Sequence, residues 1–249
     1  MTIKGKKKYM LLKTVQDHNI LPVTSVCNMS CIFCSHRQNS PEVNTYRFGH
    51  IKLKLIKELI DYLPREGSVI LGESATKIIE GEPFSNPDIK DILSCLRTKW
   101  PQKDIKITTN GSFLNEELVG FLKSIEPIEI NLSLNCATPE ARSEVMKDQA
   151  PEQVFAGLKY LKANNIKFNG SLVALPHLRG WDSIENTVKT LIKYEAQTIR
   201  VFLPGFTEQA PEGLKFDNIV FENLSKYLNK LKIKYDTPII MEPPQLDNL

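Results

Sequence analysis

The chain alternates between amphipathic stretches of helical period and short runs rich in β-branched residues. Such alternation is typical of a parallel sheet whose strands are joined by helices. The predicted strands cover residues 21–26, 77–80, 105–109, 128–134, 167–175, 198–203 and 238–241, and residues 68–71 compete with 77–80 for the second strand. The predicted helices cover residues 51–63, 87–99, 116–123, 139–164 with a break near Pro151, 183–194 and 217–231, with Asn86, Asn115 and Asp217 as N-caps.

Six or seven βα units predict an α/β fold, namely a partial, open parallel β/α barrel related to the TIM barrel, rather than the closed eight-unit form. With 249 residues and 41% hydrophobic content, the chain can bury one large core, and no linker divides it. We therefore predict a core over residues 18–242, preceded by a basic arm (1–17) and followed by a tail (243–249). Right-handed crossovers place the carboxyl ends of all strands on one face, where barrel chemistry occurs.

Cys27, Cys31 and Cys34 form a CxxxCxxC triplet directly after the first predicted strand, and hence on that face. Three thiolates within eight residues of one loop can surround a single inorganic centre. A cubane 4Fe-4S cluster ordinarily takes four cysteines, so three would leave one iron open to another ligand. Together with His36, the triplet could instead bind zinc as a Cys3His site.

This triplet resembles the signature of the radical S-adenosylmethionine (radical SAM) superfamily, including the aromatic Phe33 before the third cysteine. The resemblance implies that SAM chelates the open iron of a 4Fe-4S cluster held by the three cysteines. The reduced cluster would cleave SAM into methionine and a 5′-deoxyadenosyl radical, which abstracts hydrogen from a substrate that the sequence does not identify. A flavodoxin or ferredoxin is implied as the external electron donor, and a partial six-unit barrel is the common core of the family.

The segment Gly81-Glu82-Pro83 resembles the GGE motif of that family, which holds the amino group of SAM. The family usually has glycine where this chain has Glu80, and a glycine there permits close backbone approach. An ordinary turn is the alternative interpretation of a Gly-Glu-Pro tripeptide.

Four further residues are implied by the resemblance as SAM contacts. Phe33 would pack on the adenine, while Ser133 and Asn135, at the end of the fourth strand, would approach the ribose. Asn110, at the end of the third strand, could face the methionine part of SAM or the substrate. Alternatives for these residues are a core aromatic, ordinary polar strand ends and a turn at Asn110.

Charged residues at other predicted strand ends, Arg179, Glu208 and Glu242, could orient a polar substrate or be solvated loop charges. A net charge of +3 does not indicate a nucleic-acid partner. Five cysteines without a secretory signal favour the cytoplasm over a disulfide framework, and no apolar run predicts a membrane partner. No other catalytic motif is present. The competing class is a non-catalytic zinc or Fe-S scaffold on a degenerate barrel, with Glu80 marking lost SAM binding.

Overall fold

The computed structural model describes residues 5–39, 42–205, 209–215 and 218–242. Six strands form one sheet in the order in which they occur along the chain, and every neighbouring pair is parallel. The strands are β1 (Val69–Leu71), β2 (Ile105–Thr109), β3 (Ile128–Ser133), β4 (Phe168–Val173), β5 (Ile199–Phe202) and β6 (Ile239–Glu242). Sequential parallel strands are the product of repeated βα units, so the predicted α/β fold is confirmed.

Helices connect the strands and cover one face of the sheet. They are α1 (Lys6–His18), α2 (Ser35–Gln38), α3 (Leu53–Ile60), α4 (Ile89–Lys99), α5 (Glu116–Ser124), α6 (Pro139–Met146), α7 (Glu152–Ala163), α8 (Pro176–Arg179), α9 (Trp181–Lys193) and α10 (Asn218–Lys234). Short 3-10 turns cover Pro83–Ser85 and Glu212–Leu214. Among the described residues, no helix combines the length and apolar character needed to cross a membrane.

The predicted helix caps had mixed outcomes. Asn115 caps α5 as predicted, because its side-chain oxygen accepts the backbone N–H of Leu118. α4 begins one residue after Asp88, two positions later than predicted, but the side-chain oxygen of Asn86 accepts the Asp88 N–H at 2.9 Å and so caps the turn that leads into the helix. The side-chain nitrogen of Asn86 donates to backbone carbonyls elsewhere, those of Val23 and Ile51. Asp217 lies outside the described residues.

The two faces of the sheet differ in chemistry. Along β2, Ile105 and Ile107 are buried beneath the helices, whereas Lys106 and Thr108 on the other face are only half-buried. The polar face continues on the other strands through Glu129, Asn131, Ser133, Asn169, Ser171 and Arg200. Parallel sheets are ordinarily apolar on both faces. A polar face therefore indicates a surface for a ligand rather than for packing.

Side chains that cross the polar face show that the sheet is curved. The Arg200 guanidinium on β5 lies 4.0 Å from the carboxylate of Glu73, which follows β1. In a flat sheet these strands would be four spacings apart, or about 19 Å. The polar face is therefore the concave interior of an open barrel. β6 pairs with β5 and, among the described residues, with no strand on its other side, so the partial barrel is confirmed.

The first predicted strand, residues 21–26, is not a regular strand. The chain touches the sheet at Ile20, which forms a parallel bridge with Ile70 of β1, and Thr24 bridges His50 elsewhere. Pro22 lacks a backbone N–H and cannot continue the hydrogen-bonded ladder. The prediction was therefore wrong in length, although this segment does lie at the outer edge of β1.

The second strand was also assigned to the wrong segment. β1 comprises Val69–Leu71, the competing candidate, and pairs with β2. Residues 77–80 form only an isolated bridge, between Ile78 and Tyr46. Both segments are rich in β-branched residues, so local composition does not show which of them forms the strand. Residues 69–71 form it because they pair with β2.

The N-terminal arm proves to be helical over most of its length. α1 buries Leu11, Thr14 and Val15 against the rest of the protein, while the lysines at its start are exposed. The predicted tail, residues 243–249, lies outside the described residues. The hydrophobic core thus includes Leu11 and Val15 of the predicted basic arm and begins before residue 18.

Candidate functional site

The three cysteines of the triplet lie in one loop at the carboxyl end of the sheet. Cys27 is exposed, whereas Cys31 and Cys34 are half-buried. Burial, followed by the charges of Cys27 and Cys34, raises the pKa of Cys31 to about 12. Protein atoms also crowd the Cys27 thiol, and this desolvation raises its pKa although the residue as a whole is exposed. A bound metal centre would offset both shifts because it stabilises thiolates, so the triplet fits such a group.

The end of α6 holds the cysteine loop in place. The backbone N–H of Ser30 donates to Met146 at 3.1 Å, and that of Ile32 donates to Val145 at 2.9 Å. Within the loop, the Cys34 N–H donates to the Cys31 carbonyl at 3.2 Å. The loop is therefore fixed at points between its cysteines, while the thiols themselves remain available to a ligand.

His36, the candidate fourth zinc ligand, lies half-buried in α2. Burial, with a smaller effect of Arg47, lowers its pKa. Among the described residues, no group of three His, Cys, Asp or Glu side chains is arranged to hold a single metal ion. The Cys3His zinc site stays a prediction.

The Gly81-Glu82 segment lies directly against the chain that enters the cysteine loop. The Gly81 N–H donates to the Thr24 carbonyl at 2.8 Å, and the Glu82 N–H donates to the Val26 carbonyl at 2.9 Å. A Cβ built on Gly81 would lie only 2.0 Å from the Val26 oxygen. Glycine is thus required at position 81, and the segment is fixed one residue before Cys27.

We expect Gly81→Ala to separate these two segments. The new methyl group would overlap backbone atoms of Val26, which cannot move aside as a flexible side chain could. The free energy of unfolding should fall by about 1–3 kcal/mol, as for other overpacked sites. Denaturant unfolding and iron binding would measure the effect, because movement of Val26 also moves Cys27.

Gly120→Ala is the matched control for that prediction. Gly120 lies within α5, and a Cβ there would have no neighbour within 4 Å. Alanine should leave iron binding unchanged and stabilise the helix by about 0.5–1 kcal/mol. Equal effects of the two substitutions would contradict the close approach at Gly81.

Glu82 is buried at the junction between the Gly81 segment and the end of β2. Its carboxylate accepts hydrogen bonds from the Phe84 N–H at 3.2 Å, the Thr109 hydroxyl at 2.7 Å and the Asn110 N–H at 2.7 Å. Burial raises the pKa of Glu82 to about 7, against the opposing effect of these bonds. Pro83, also buried, begins the 3-10 turn that follows. A ligand ammonium group would stabilise this buried carboxylate.

Asn110 connects Glu82 with the cysteine loop. Its side-chain nitrogen donates to the Asn28 side chain at 2.9 Å and lies 3.9 Å from the Cys27 sulfur. Its side-chain oxygen accepts from the backbone and hydroxyl of Ser112. The structure thus brings together Cys27, Glu82 and Asn110, which are distant in sequence.

The remaining predicted contacts lie on the β3–β4 side of the barrel mouth. Ser133 ends β3, and its hydroxyl is 3.3 Å from that of Ser171 on β4. Asn135 adopts a left-handed conformation, with φ of 60°, and its side-chain oxygen accepts the Val173 N–H at 2.8 Å. Phe33 and Val173 both pack against a small buried apolar cluster beside the cysteine loop. These residues form a second group at the same end of the sheet.

Arg142 joins the two groups and was missed by the sequence analysis. It is fully buried on α6, and its Nε donates to the Asp148 carboxylate at 2.6 Å. The other donors contact the carbonyls of Asn110, Ser133 and Leu134 and the sulfur of Met29. No sequence signal distinguishes it, since most helical arginines are solvated. Through these contacts Arg142 links the ends of β2 and β3 to the cysteine loop.

Glu80 is a buried acid without a hydrogen-bond partner. Its side chain is almost completely buried, and neither carboxylate oxygen has a partner among the described residues. Burial raises its pKa well above the usual value, and the nearby Val23 amide opposes this without completing a hydrogen bond. Burial therefore favours the protonated form of Glu80, and nothing in the structure explains why an acid stands where the GGE motif usually has glycine.

The other charged candidates have separate positions. Arg179 pairs with Glu144 at the surface between α8 and α6. Glu242 ends β6, where its backbone carbonyl accepts the N–H of Leu203. Glu208 lies outside the described residues. None of these contacts joins the cysteine loop.

Sequence comparisons agree with the cysteine-centred site. A family model described as the radical SAM superfamily matches residues 21–191. A GTP 3′,8-cyclase of Limosilactobacillus fermentum is 28% identical over 162 residues, which are 65% of this chain and 46% of that protein. A probable GTP 3′,8-cyclase of Methanosarcina mazei is 33% identical over 120 residues, which are 48% of this chain and 33% of that protein. The chain thus spans less than half the length of these curated relatives.

Solved structures share the fold at low identity. Streptococcus suis SuiB bound to S-adenosylmethionine matches with a TM-score of 0.64 and 18% identity, covering 97% of this chain and 57% of that one. anSMEcpe with bound AdoMet has a TM-score of 0.64 and 16% identity, covering 88% and 62%. A radical SAM methyltransferase from Sphaerobacter thermophilus has a TM-score of 0.61 and 14% identity, covering 87% and 63%.

Proposed function

The chain belongs to the radical SAM superfamily, whose cofactors are a 4Fe-4S cluster and SAM, and we propose that it reductively cleaves SAM to abstract hydrogen from a substrate. The observation that carries this proposal is the direct hydrogen bonding of the Gly81-Glu82 segment to the chain that enters the cysteine loop. This contact brings a triplet suited to iron and a buried carboxylate suited to an ammonium group into one site.

In this proposal Cys27, Cys31 and Cys34 each ligate one iron. Glu82 holds the amino group of SAM, since its carboxylate is buried beside the loop. Asn110 supports this arrangement through its contacts with Cys27 and Glu82. Pro83 directs the chain away from the site by starting the turn that follows Glu82.

We place the adenosine part of SAM against the second group of residues. Phe33 would contact the adenine, and Ser133 and Asn135 would face the ribose. The bound cofactors together would supply one-electron cleavage of a carbon–sulfur bond and a carbon-centred radical. The apolar cluster beside the loop, Met29, Cys136, Val145, Met146, Leu175 and Leu214, would keep water from that radical.

Members of this family require a substrate and a reductant, and we propose a flavodoxin or ferredoxin as the electron donor. Cys27 is exposed, so an electron could enter the site over a short distance. Arg37 and Arg47 are exposed near the loop, where they contact Ser30 and His36 and would attract an acidic partner. The free cysteines agree with the cytoplasm as the proposed location.

GTP, named for the curated relatives, is not proposed as the substrate. Among the described residues, a cavity on the concave face of the barrel is lined by two cations, Lys106 and Arg200, and by two acids, Glu73 and Glu129. A triphosphate would require an excess of cations over acids.

The proposed function is tested on anaerobically reconstituted protein. The EPR spectrum of the dithionite-reduced state should change on adding SAM, and chromatography should detect 5′-deoxyadenosine. A cluster signal that is indifferent to SAM, without 5′-deoxyadenosine, would support the scaffold interpretation. Zinc in place of iron, at about one per chain, would support the Cys3His site.

We expect Glu82→Gln to weaken SAM binding while the iron content stays unchanged. The substitution removes the negative charge and places an N–H2 group against the donors at Thr109 or Asn110. Loss of a charged hydrogen bond is worth about 1.5–3 kcal/mol, or roughly 10- to 100-fold in affinity. Calorimetric titration of reconstituted protein with SAM measures this.

Glu80→Gln provides the matched control, because it changes a second buried acid only two residues away. Its carboxylate has no hydrogen-bond partner among the described residues, so SAM affinity should be unchanged. If Glu82→Gln bound SAM like the unmodified protein, the role of Glu82 would have to be abandoned. If only Glu80→Gln lost affinity, the contact would have to be reassigned to that residue.

A further inference from the structure

A cavity of about 300 Å³ lies on the concave face of the barrel. Its walls are Ile70, Glu73, Lys106, Glu129, Asn131, Asn169, Thr198 and Arg200, and we call it the floor cavity because most of these residues lie on the strands below the barrel mouth. Its size falls at the lower end of the range for small-molecule sites. The polar lining indicates a hydrophilic ligand.

Among the buried or half-buried arginines that the structure describes, Arg200 has the fewest hydrogen-bond partners. Among the described residues, the nearest acidic atom to its guanidinium is a Glu73 oxygen at 4.0 Å, too far for a hydrogen bond. The guanidinium lies 5.4 Å from the Phe202 ring centroid, which helps to fix its direction. A guanidinium has five N–H donors, so Arg200 presents an uncommitted fork to the cavity.

Two other arginines show the contrast. Arg142 uses its donors on a carboxylate, three carbonyls and a sulfur. Arg97 donates to five backbone carbonyls at the opposite end of the sheet. Both arginines therefore stabilise the fold through contacts within the protein. Arg200 lacks such partners although it faces the cavity, as expected for a group that binds an anion.

The amides of Asn131 and Asn169 offer the second recognition element. The Asn169 nitrogen donates to the Asn131 oxygen at 3.2 Å, across β4 and β3. That bond leaves the nitrogen of Asn131 and the oxygen of Asn169 without a partner among the described residues. One donor and one acceptor therefore stand side by side, matching an amide group or a hydroxyl group of a ligand.

The charges of the cavity limit the ligand to a single anionic group. Lys106 lies 3.5 Å from Glu129, its cross-strand neighbour, and these two charges compensate each other. Glu73 also accepts the Thr108 hydroxyl at 2.9 Å, which fixes its carboxylate. With two cations and two acids in the lining, a polyphosphate would find no surplus positive charge. One planar carboxylate suits the Arg200 fork.

We propose that the floor cavity binds a substrate with one carboxylate next to an amide or hydroxyl group. Arg200 holds the carboxylate, and the Asn131–Asn169 pair recognises the neighbouring polar group. This inference rests on the proposed function, because the substrate would lie inside the barrel below SAM. Arg200 and the two asparagines thus determine specificity and take no part in SAM cleavage.

The test is arginine labelling of the full chain without cluster or SAM, so it is independent of SAM cleavage. Phenylglyoxal modifies accessible guanidinium groups, and peptide mass spectrometry reports the rate at each arginine. Arg200 should react faster than Arg97 and Arg142, whose donors are occupied. N-acetylglycine, which carries a carboxylate next to an amide, should slow Arg200 labelling by about tenfold at a concentration of about ten times its dissociation constant, because only the unliganded protein reacts.

Comparison probes and a variant decide the specificity. Acetate and tripolyphosphate should protect Arg200 less than N-acetylglycine does at equal concentration. Asn131→Ala should reduce protection by N-acetylglycine to the level of acetate, while Arg200 remains reactive. The proposal is overturned if tripolyphosphate protects best, if none of the probes protects, or if Arg200 labels no faster than Arg142.

Discussion

Cys31→Ala should abolish both cluster assembly and SAM cleavage. Two remaining thiolates cannot hold a cubane, and Cys31 lies between the other two cysteines in the loop. The backbone of the loop should survive, because the bonds to α6 come from Ser30 and Ile32 rather than from the thiol. We therefore expect a folded protein with little iron. Iron analysis, the visible absorption of the cluster and 5′-deoxyadenosine measure the loss.

Two further cysteines supply controls for this prediction. Cys95 lies half-buried in α4, away from the loop, and Cys95→Ala should assemble a full cluster. Cys136 is buried in the apolar cluster on which Cys31 packs. Because it lies beside the loop, it is the cysteine that could take the place of one of the three proposed iron ligands. Cys136→Ala should also retain its iron. An intact cluster in Cys31→Ala, or its loss in Cys136→Ala, would change the ligand assignment.

The parts of the fold that followed from the sequence are those set by local pattern. β2 was predicted with the bounds that the structure shows, since alternation of buried and half-buried residues marks it clearly. The break between α6 and α7 follows from Pro151. Parallel order follows from the repeated βα alternation, which admits few other arrangements. These features depend on neighbouring residues only.

The errors concern contacts between distant residues. Residues 77–80 have strand-like composition, but the chain carries them beside Tyr46 and the segment before Cys27. The side-chain oxygen of Asn86 accepts the Asp88 N–H as a local cap would, but no local pattern reveals that its nitrogen donates to the distant carbonyls of Val23 and Ile51. Composition alone does not reveal which partner a polar side chain will find.

The candidate site likewise combines features set by local sequence with contacts between residues that are distant in the chain. The cysteine triplet is contiguous and was recognised as a motif, whereas the proximity of Glu82 and Asn110 arises only when β2 folds beside the Gly81 segment. The Glu73–Arg200 approach depends on sheet curvature, and the sequence carries no sign of it. Sequence analysis thus predicted the candidate metal ligands more completely than the cavity that surrounds them.

Arg142→Met should cause the largest loss of stability among the substitutions at the site. It leaves the buried carboxylate of Asp148 without its partner and removes the donors to three strand-end carbonyls. Breaking a buried ion pair from one side costs about 3–5 kcal/mol. Iron content should fall as well, because the contact between Arg142 and Met29 reaches into the cysteine loop. Denaturant unfolding and iron analysis measure the two effects.

Arg97→Met is the control that separates the loss of stability from the loss of iron. Arg97 also binds five acceptors, but it lies at the opposite end of the sheet from the cysteine loop. Its acceptors are neutral carbonyls, so we expect a smaller destabilisation, about 1–3 kcal/mol, with full iron content. The double variant Arg142→Met/Asp148→Asn should be less unstable than the sum of its single variants, since no unpaired charge remains. Additive effects would show that Arg142 acts through its carbonyl contacts alone. Full iron content in Arg142→Met would show that it stabilises the strand ends without positioning the cysteine loop.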